Sequence, residues 1–377
     1  MKRSKFILIK ILYLFSFHAY GENYYLHSMA DTTDNPFKQE VVEHWLSFLY
    51  ETGFDKQKNY WHADEIEEWG SRFFLADNIF QFPREHFFEV FSPYILSVEC
   101  IEDNYCRIET SFEQKGFTLE DTIPPTENQN PMGIIEVGVL KADDGDLYLV
   151  NLFDERTAGY NSFTEGEIHY LADPNLTRNN DEIKKATAFA DSIAEIFDTD
   201  YDSIRFVVCR DPKELGYITG FNFMFGGYTT GITYQDARTI ISGLGKFNYP
   251  HELGHLIIDP VVGDVNHFFN EGLVTLFGGS GDRTYDELLQ DFRAEYSSIN
   301  RDKFEEINKY PGSPQAYTLG ALFVEVIYDE GGVELLKSFE ESVTKEPWEF
   351  IKLAADKMDM EKDELLNRVN SRLEEGE

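Results

Sequence analysis

Two histidines four residues apart with a glutamate directly after the first, His251-Glu252-Leu253-Gly254-His255, constrain this 377-residue chain more than any other feature. On a helix, residues at i and i+4 lie one above the other, so both imidazoles can face a single ion, which is a zinc-site geometry. Glu252 sits about 100° round the helix from His251, near enough to act on a water at that ion without ligating it. The local sequence predicts the helix, with Asn248 as N-cap, Pro250 in the first turn, Leu253, Leu256 and Ile257 as the apolar side and Asp259-Pro260 as the stop. Gly254 costs about 1 kcal/mol of helix propensity relative to alanine, and this predicts close packing against a neighbouring backbone.

Glu271 follows His255 by sixteen positions, inside the apolar segment Phe268-Phe269-Asn270-Glu271-Gly272-Leu273-Val274. A carboxylate in such a segment is expensive unless it is paired or bound to metal. Asp259 and Asp264 are alternative third ligands on composition alone. His267, at the start of this second predicted helix, is either a substrate-orienting group or an ordinary helix-terminal histidine.

HELGH followed by NEG resembles the gluzincin metallopeptidases, in particular the MA-like peptidase group related to the M1 aminopeptidases. The resemblance implies one Zn²⁺ per chain, held by His251, His255 and Glu271, with Glu252 as the general base of peptide-bond hydrolysis. The His255-to-Glu271 gap is shorter than in thermolysin-like and M1-like gluzincins, and a tight turn through Val261-Val262-Gly263-Asp264 would close it. Metzincins are excluded because Ile258 and Val261 occupy the places where their glycine and third histidine would fall. Downstream, Tyr317-Thr318-Leu319-Gly320 resembles the Tyr-x-x-Gly helix of the same peptidases, which implies that Tyr317 stabilises the oxyanion. Tyr317, Gly320, Val324 and Tyr328 equally fit a core-facing helical stripe. No GxMEN segment is present, so the resemblance does not extend to exopeptidase activity. The resemblance covers 165 to about 374.

The rest of the chain predicts an α+β protein of two domains. Residues 1–21 read as a secretory signal, with Lys2, Arg3 and Lys5 before an apolar run too short to span a bilayer. This predicts an extracytoplasmic protein with no stable membrane insertion after signal removal. The first domain, 25–157, opens with a helix carrying Val41, Trp45, Phe48 and Leu49 on one face. Strands at 94–100, 106–112, 134–140 and 147–152 follow. A helix before an antiparallel sheet is also the element order of NTF2-like modules. A linker at 156–164 leads to the mostly helical, zincin-like second domain, 165–374. There Ile183, Thr187, Ala190, Ala194 and Phe197 mark a helix, and 226–242 reads as a hairpin ahead of the His251 helix. In zincins generally, a sheet edge beside that helix takes substrate backbone as an added strand, and this hairpin is similar in position.

Cys100 and Cys106 flank a predicted hairpin across which a disulfide would fit, whereas Cys209 reads as a buried free thiol. A formal net charge of −36 repels nucleic acid and anionic membranes, leaving a peptide or protein as the expected partner. The competing reading is a non-catalytic exported binding protein that keeps a zincin fold.

Overall fold

A computed structural model describes residues 25–27, 30, 32–33, 35–51, 53–70, 84–114, 132–225, 227–340, 342 and 346–374. The expected secretory signal at 1–21 and Gly226 of the expected hairpin lie outside the described residues. The fold is α+β and divides into two compact units. One comprises the chain up to Ala158 together with Gly216–Tyr228; the other comprises Gly159–Leu215 and Thr229–Glu377. The sequence predicts one continuous stretch for each domain, whereas Gly216–Tyr228 returns to the first unit.

In the first unit, among the described residues, β1 (Tyr25–Leu26) is followed by the helices α1 (Pro36–Tyr50), α2 (Phe54–Gln57), α3 (Ala63–Trp69) and α4 (Arg84–Val90). β2 (Phe91–Glu102), β3 (Tyr105–Gln114), β4 (Gly133–Lys141) and β5 (Leu147–Val150) then pair antiparallel in sequence order, and β1 adds in parallel to β2. Asn35 caps α1 through Phe37 N, and the predicted face is buried at Val41, Trp45, Phe48 and Leu49. Trp45 stays satisfied in the core because its Nε1 donates to Thr110 Oγ1 at 2.9 Å. A strand from far along the chain, Phe221–Met224, pairs with the first residues of β4 while β5 pairs with its last ones. Cys100 and Cys106 face one another across β2 and β3 and form a disulfide.

The expected linker at 156–164 contains the boundary between the two units, at Ala158 and Gly159, and much of it is regular structure. Helix α5 (Phe153–Thr157) runs into it, and β6 (Asn161–Glu165) begins within it. Arg156 anchors the first part: its guanidinium pairs with Glu136 and lies 4.1 Å from the Tyr217 ring centroid. An arginine buried and paired in this way fixes its backbone, which composition alone does not reveal.

In the second unit, β6 pairs antiparallel with β7 (Ile168–Ala172), and α6 (Asn180–Phe197) crosses over to β8 (Ile204–Val208), which lies parallel to β7. After Phe221–Met224 (β9) has joined the first unit, β10 (Gly231–Tyr234) and β11 (Thr239–Ser242) form the expected hairpin. Among the described residues the sheet order is β10-β11-β8-β7-β6, with β10 at one edge. Helix α6 follows from its sequence: Asn179 accepts from Asp181 N and Glu182 N, and Ile183, Ala186, Ala190, Ile193, Ala194 and Phe197 repeat at helical spacing and are buried.

The helices that follow are α7 (Pro250–Val262), α8 (His267–Gly278), α9 (Tyr285–Glu295), α10 (Arg301–Ile307), α11 (Pro314–Lys337), α12 (Pro347–Lys357) and α13 (Lys362–Glu374). One apolar core contains Ile257 and Ile258 of α7, Phe269 and Leu273 of α8, and Leu322 and Phe323 of α11. Helix α11 breaks at Gly332, where φ is 61°. Among the described residues, no helix is long and apolar enough to cross a membrane.

Both predicted ends of α7 need correction. Its N-cap is Tyr249, not Asn248, and no side chain caps it. Pro260 does not stop it; the helix runs to Val262 and closes at Gly263, whose N–H returns to Asp259 O at 2.9 Å. Burial of Ile258 and Val262 outweighs the single hydrogen bond that Pro260 cannot make in the last turn.

Candidate metal centre

Helix α7 presents His251 and His255 on one face with ring centroids 4.9 Å apart, as the i, i+4 spacing predicts. Residues 263–266 turn the chain into α8, which carries Glu271 back to them. Glu271 Oε2 lies 3.2 Å from His251 Nε2 and 3.7 Å from His255 Nε2. One ligand atom from each residue lies within 4.8 Å of the other two, and this group could hold a metal ion. The side chains are 6%, 12% and 14% exposed, so bulk water screens them little.

The far nitrogens of both rings decide how the near ones behave. His251 Nδ1 lies 2.7 Å from the Gly279 carbonyl oxygen, which only accepts, so Nδ1 carries a proton and, in a neutral ring, Nε2 keeps its lone pair. His255 Nδ1 faces Asp259 Oδ2 at 3.2 Å, with the same consequence for a neutral ring. Both lone pairs therefore point at the Glu271 carboxylate, whose buried Oε2 lacks an aligned hydrogen-bond donor. Three electron-rich groups converging in a low-dielectric place demand positive charge, so these residues fit a metal ion.

Without a cation, a proton has to supply that charge. Burial opposes protonation of His255, yet Asp259 and Glu271 beside it raise its pKa well above the ordinary imidazole value. Burial likewise opposes ionisation of Glu271, and the two imidazoles still hold its carboxyl below the usual carboxylate range.

Asp259 is placed as an orienting group and not as a ligand, because it meets the outer nitrogen of His255. Gln235 Nε2 donates to Asp259 Oδ2 at 3.3 Å and to His255 O at 2.7 Å, and Asn270 Nδ2 lies 3.4 Å from Asp259 Oδ2. Asp264 is exposed and does not belong to the group. His267 is 61% exposed, with Nδ1 3.7 Å from Glu271 Oε1 at the start of α8.

Glu252 is 7% exposed and is held by the edge strand: Thr233 Oγ1 on β10 donates to its Oε2 at 2.7 Å. Gly231 on the same strand makes the approach possible. A Cβ there would stand 2.6 Å from Glu252 Oε1 and 2.4 Å from the Tyr249 ring. Tyr317 on α11 stacks its ring at 5.8 Å and 18° against His251. Burial first, then the neighbouring carboxylates Glu271 and Glu252, push the Tyr317 pKa up, so its hydroxyl remains a donor.

The glycines of the two motif segments meet each other. A Cβ on Gly272 would lie 2.3 Å from the Gly320 carbonyl carbon, and one on Gly320 would lie 2.6 Å from Phe268 O. This backbone contact between α8 and α11 sets Glu271 and Tyr317 side by side. Gly254, by contrast, faces the Val274 side chain at 3.4 Å, so the expected close backbone contact is absent there. Gly272→Ala is expected to force α8 and α11 apart and to destabilise the protein by about 1–3 kcal/mol. An unchanged denaturant midpoint would show that the helices tolerate the extra methyl.

Thr233 and the network on Asp259 were not found from sequence. Asp259 carried a signal, since i+4 from His255 puts it on the same helical face; the Thr233 contact is non-local and carried none. The chain matches no family model, and no curated protein matches it.

Proposed function

We propose that the chain is an exported zinc-dependent peptidase of zincin-like fold. What carries the reading is that Glu252 stands on the helix that bears His251 and His255, beside the group those two form with Glu271 of α8, and is pinned there by Thr233. Two imidazoles and one carboxylate also suit ferrous iron, but a buried carboxylate poised next to the ligands favours hydrolysis. A zinc ion held there supplies Lewis acidity and a lowered pKa for water.

The chain's own residues do the rest. Glu252 takes a proton from the attacking water and returns it to the departing amine. Thr233 fixes one carboxylate oxygen so that the other is presented in a constant direction. Tyr317 donates its hydroxyl to the oxygen that becomes negative as the carbonyl is attacked. Among the described residues β10 is the outer strand of its sheet, and its free edge offers main-chain donors and acceptors to an extended peptide.

The test couples metal analysis of the purified chain to a fluorogenic peptide library, with and without a chelator. The expected result is near-stoichiometric zinc and cleavage that chelation abolishes and added zinc restores. A zinc-loaded protein that cleaves no peptide would instead match a non-catalytic binding protein of the same fold.

A further inference from the structure

A cavity of about 220 Å³ opens beside the metal centre between α8 and α11. Glu271 and Tyr317 are part of its lining, so whatever fills it lies against the residues assigned to the ion and to the oxyanion. Phe268, Pro311, Ala316 and Pro347 supply apolar wall, and Glu271 is the only acid among the lining residues. The volume falls below the ~300–1,000 Å³ of sites that enclose a whole small molecule. It exceeds the ~150 Å³ that accommodates a benzene ring in an apolar protein cavity.

We infer that this cavity receives one large apolar side chain of the peptide substrate, of phenylalanine or leucine size, next to the bond that is cut. The inference rests on the peptidase reading. A lysine or arginine would find only Glu271 as a counter-charge, and that carboxylate is committed to the ion. An acidic side chain would meet Glu271 and be repelled. The loop that supplies Pro311 also carries Tyr310, 73% exposed, and is held by Ser313 N donating to Tyr310 O at 2.9 Å. An ordered loop showing an aromatic ring to solvent adds apolar surface next to Pro311.

The experiment uses the full chain and two readouts. The first is hydrolysis of fluorogenic peptides identical except at the positions flanking the cut, which carry Gly, Ala, Leu, Phe, Lys or Asp. Phe or Leu at one flanking position is expected to exceed Gly in kcat/KM by roughly tenfold to a hundredfold, as full burial of such a side chain implies. Ala316→Leu, which fills the cavity from α11, and Pro311→Trp, which fills it from an exposed loop, are each expected to bring that ratio to about one.

The second readout needs no turnover: saturation-transfer NMR of N-acetyl-phenylalaninamide against N-acetyl-glycinamide. Phenyl signals are expected with the unaltered chain and are expected to be lost in both variants. Absent phenyl transfer, or transfer that both folded variants retain, overturns the inference even where peptides are cleaved. Phenyl transfer that the variants abolish, in a protein that cleaves no peptide, keeps the apolar pocket and removes the peptidase reading instead.

Discussion

Glu252→Gln is expected to lower peptide hydrolysis by about 10²–10⁴-fold while leaving metal content unchanged. Glutamine keeps the length and shape of the side chain, and its carbonyl oxygen still accepts the hydrogen bond that Thr233 Oγ1 gives Glu252 Oε2 at 2.7 Å. The change therefore removes little besides the ability to take a proton. His251, His255 and Glu271 are untouched, and the orienting contacts at Gly279 O and Asp259 do not involve Glu252. Metal content by elemental analysis and turnover of one cleaved library peptide are the paired measurements. Turnover equal to that of the unaltered chain, with metal retained, would remove Glu252 from the mechanism. A parallel loss of metal would show instead that the site had been disturbed as a whole.

The parts of this molecule that depend on near neighbours were legible in its sequence. The shared face of His251 and His255 follows from their spacing, and the buried faces of α1 and α6 follow from helical periodicity. The strands β2 to β5 follow from the apolar runs at 94–100, 106–112, 134–140 and 147–152. What sequence did not reveal depends on distant residues. The stop assigned to Pro260 failed because Ile258 and Val262 are buried by packing that lies outside any local window. Residues Phe221–Met224 gave no hint that they pair with β4, since a short strand carries no mark of its partner.

At the candidate site the division is the same. Gly272 and Gly320 stood in the sequence as motif letters, and only the crossing of α8 and α11 explains both through one contact. The short gap between His255 and Glu271 is likewise explained by geometry. Because α7 continues to Val262, residues 263–266 suffice to reverse the chain into α8. Glu271 then needs only the first turns of that helix to reach the two rings.

Glu271→Ala is expected to weaken zinc binding by about a hundredfold or more. Structural zinc sites of four ligands hold their ion with roughly 10–16 kcal/mol, or about 3 kcal/mol for each ligand, and 1.4 kcal/mol is a factor of ten. The loss is expected even though both histidines keep their outer contacts, because the third donor and the sole negative charge of the group go together. Thermal unfolding gives a readout independent of catalysis. Zinc that binds only the folded chain stabilises it by about 4 kcal/mol at a thousand times its Kd, so the unaltered protein should show a metal-dependent rise in Tm. In the variant at the same zinc concentration that rise should shrink by most of its size. The sharpest contrary outcome is a variant with unaltered zinc stoichiometry and an unaltered rise. That result would assign the third ligand elsewhere, and Asp259, four residues past His255, would be the first residue to substitute in its place.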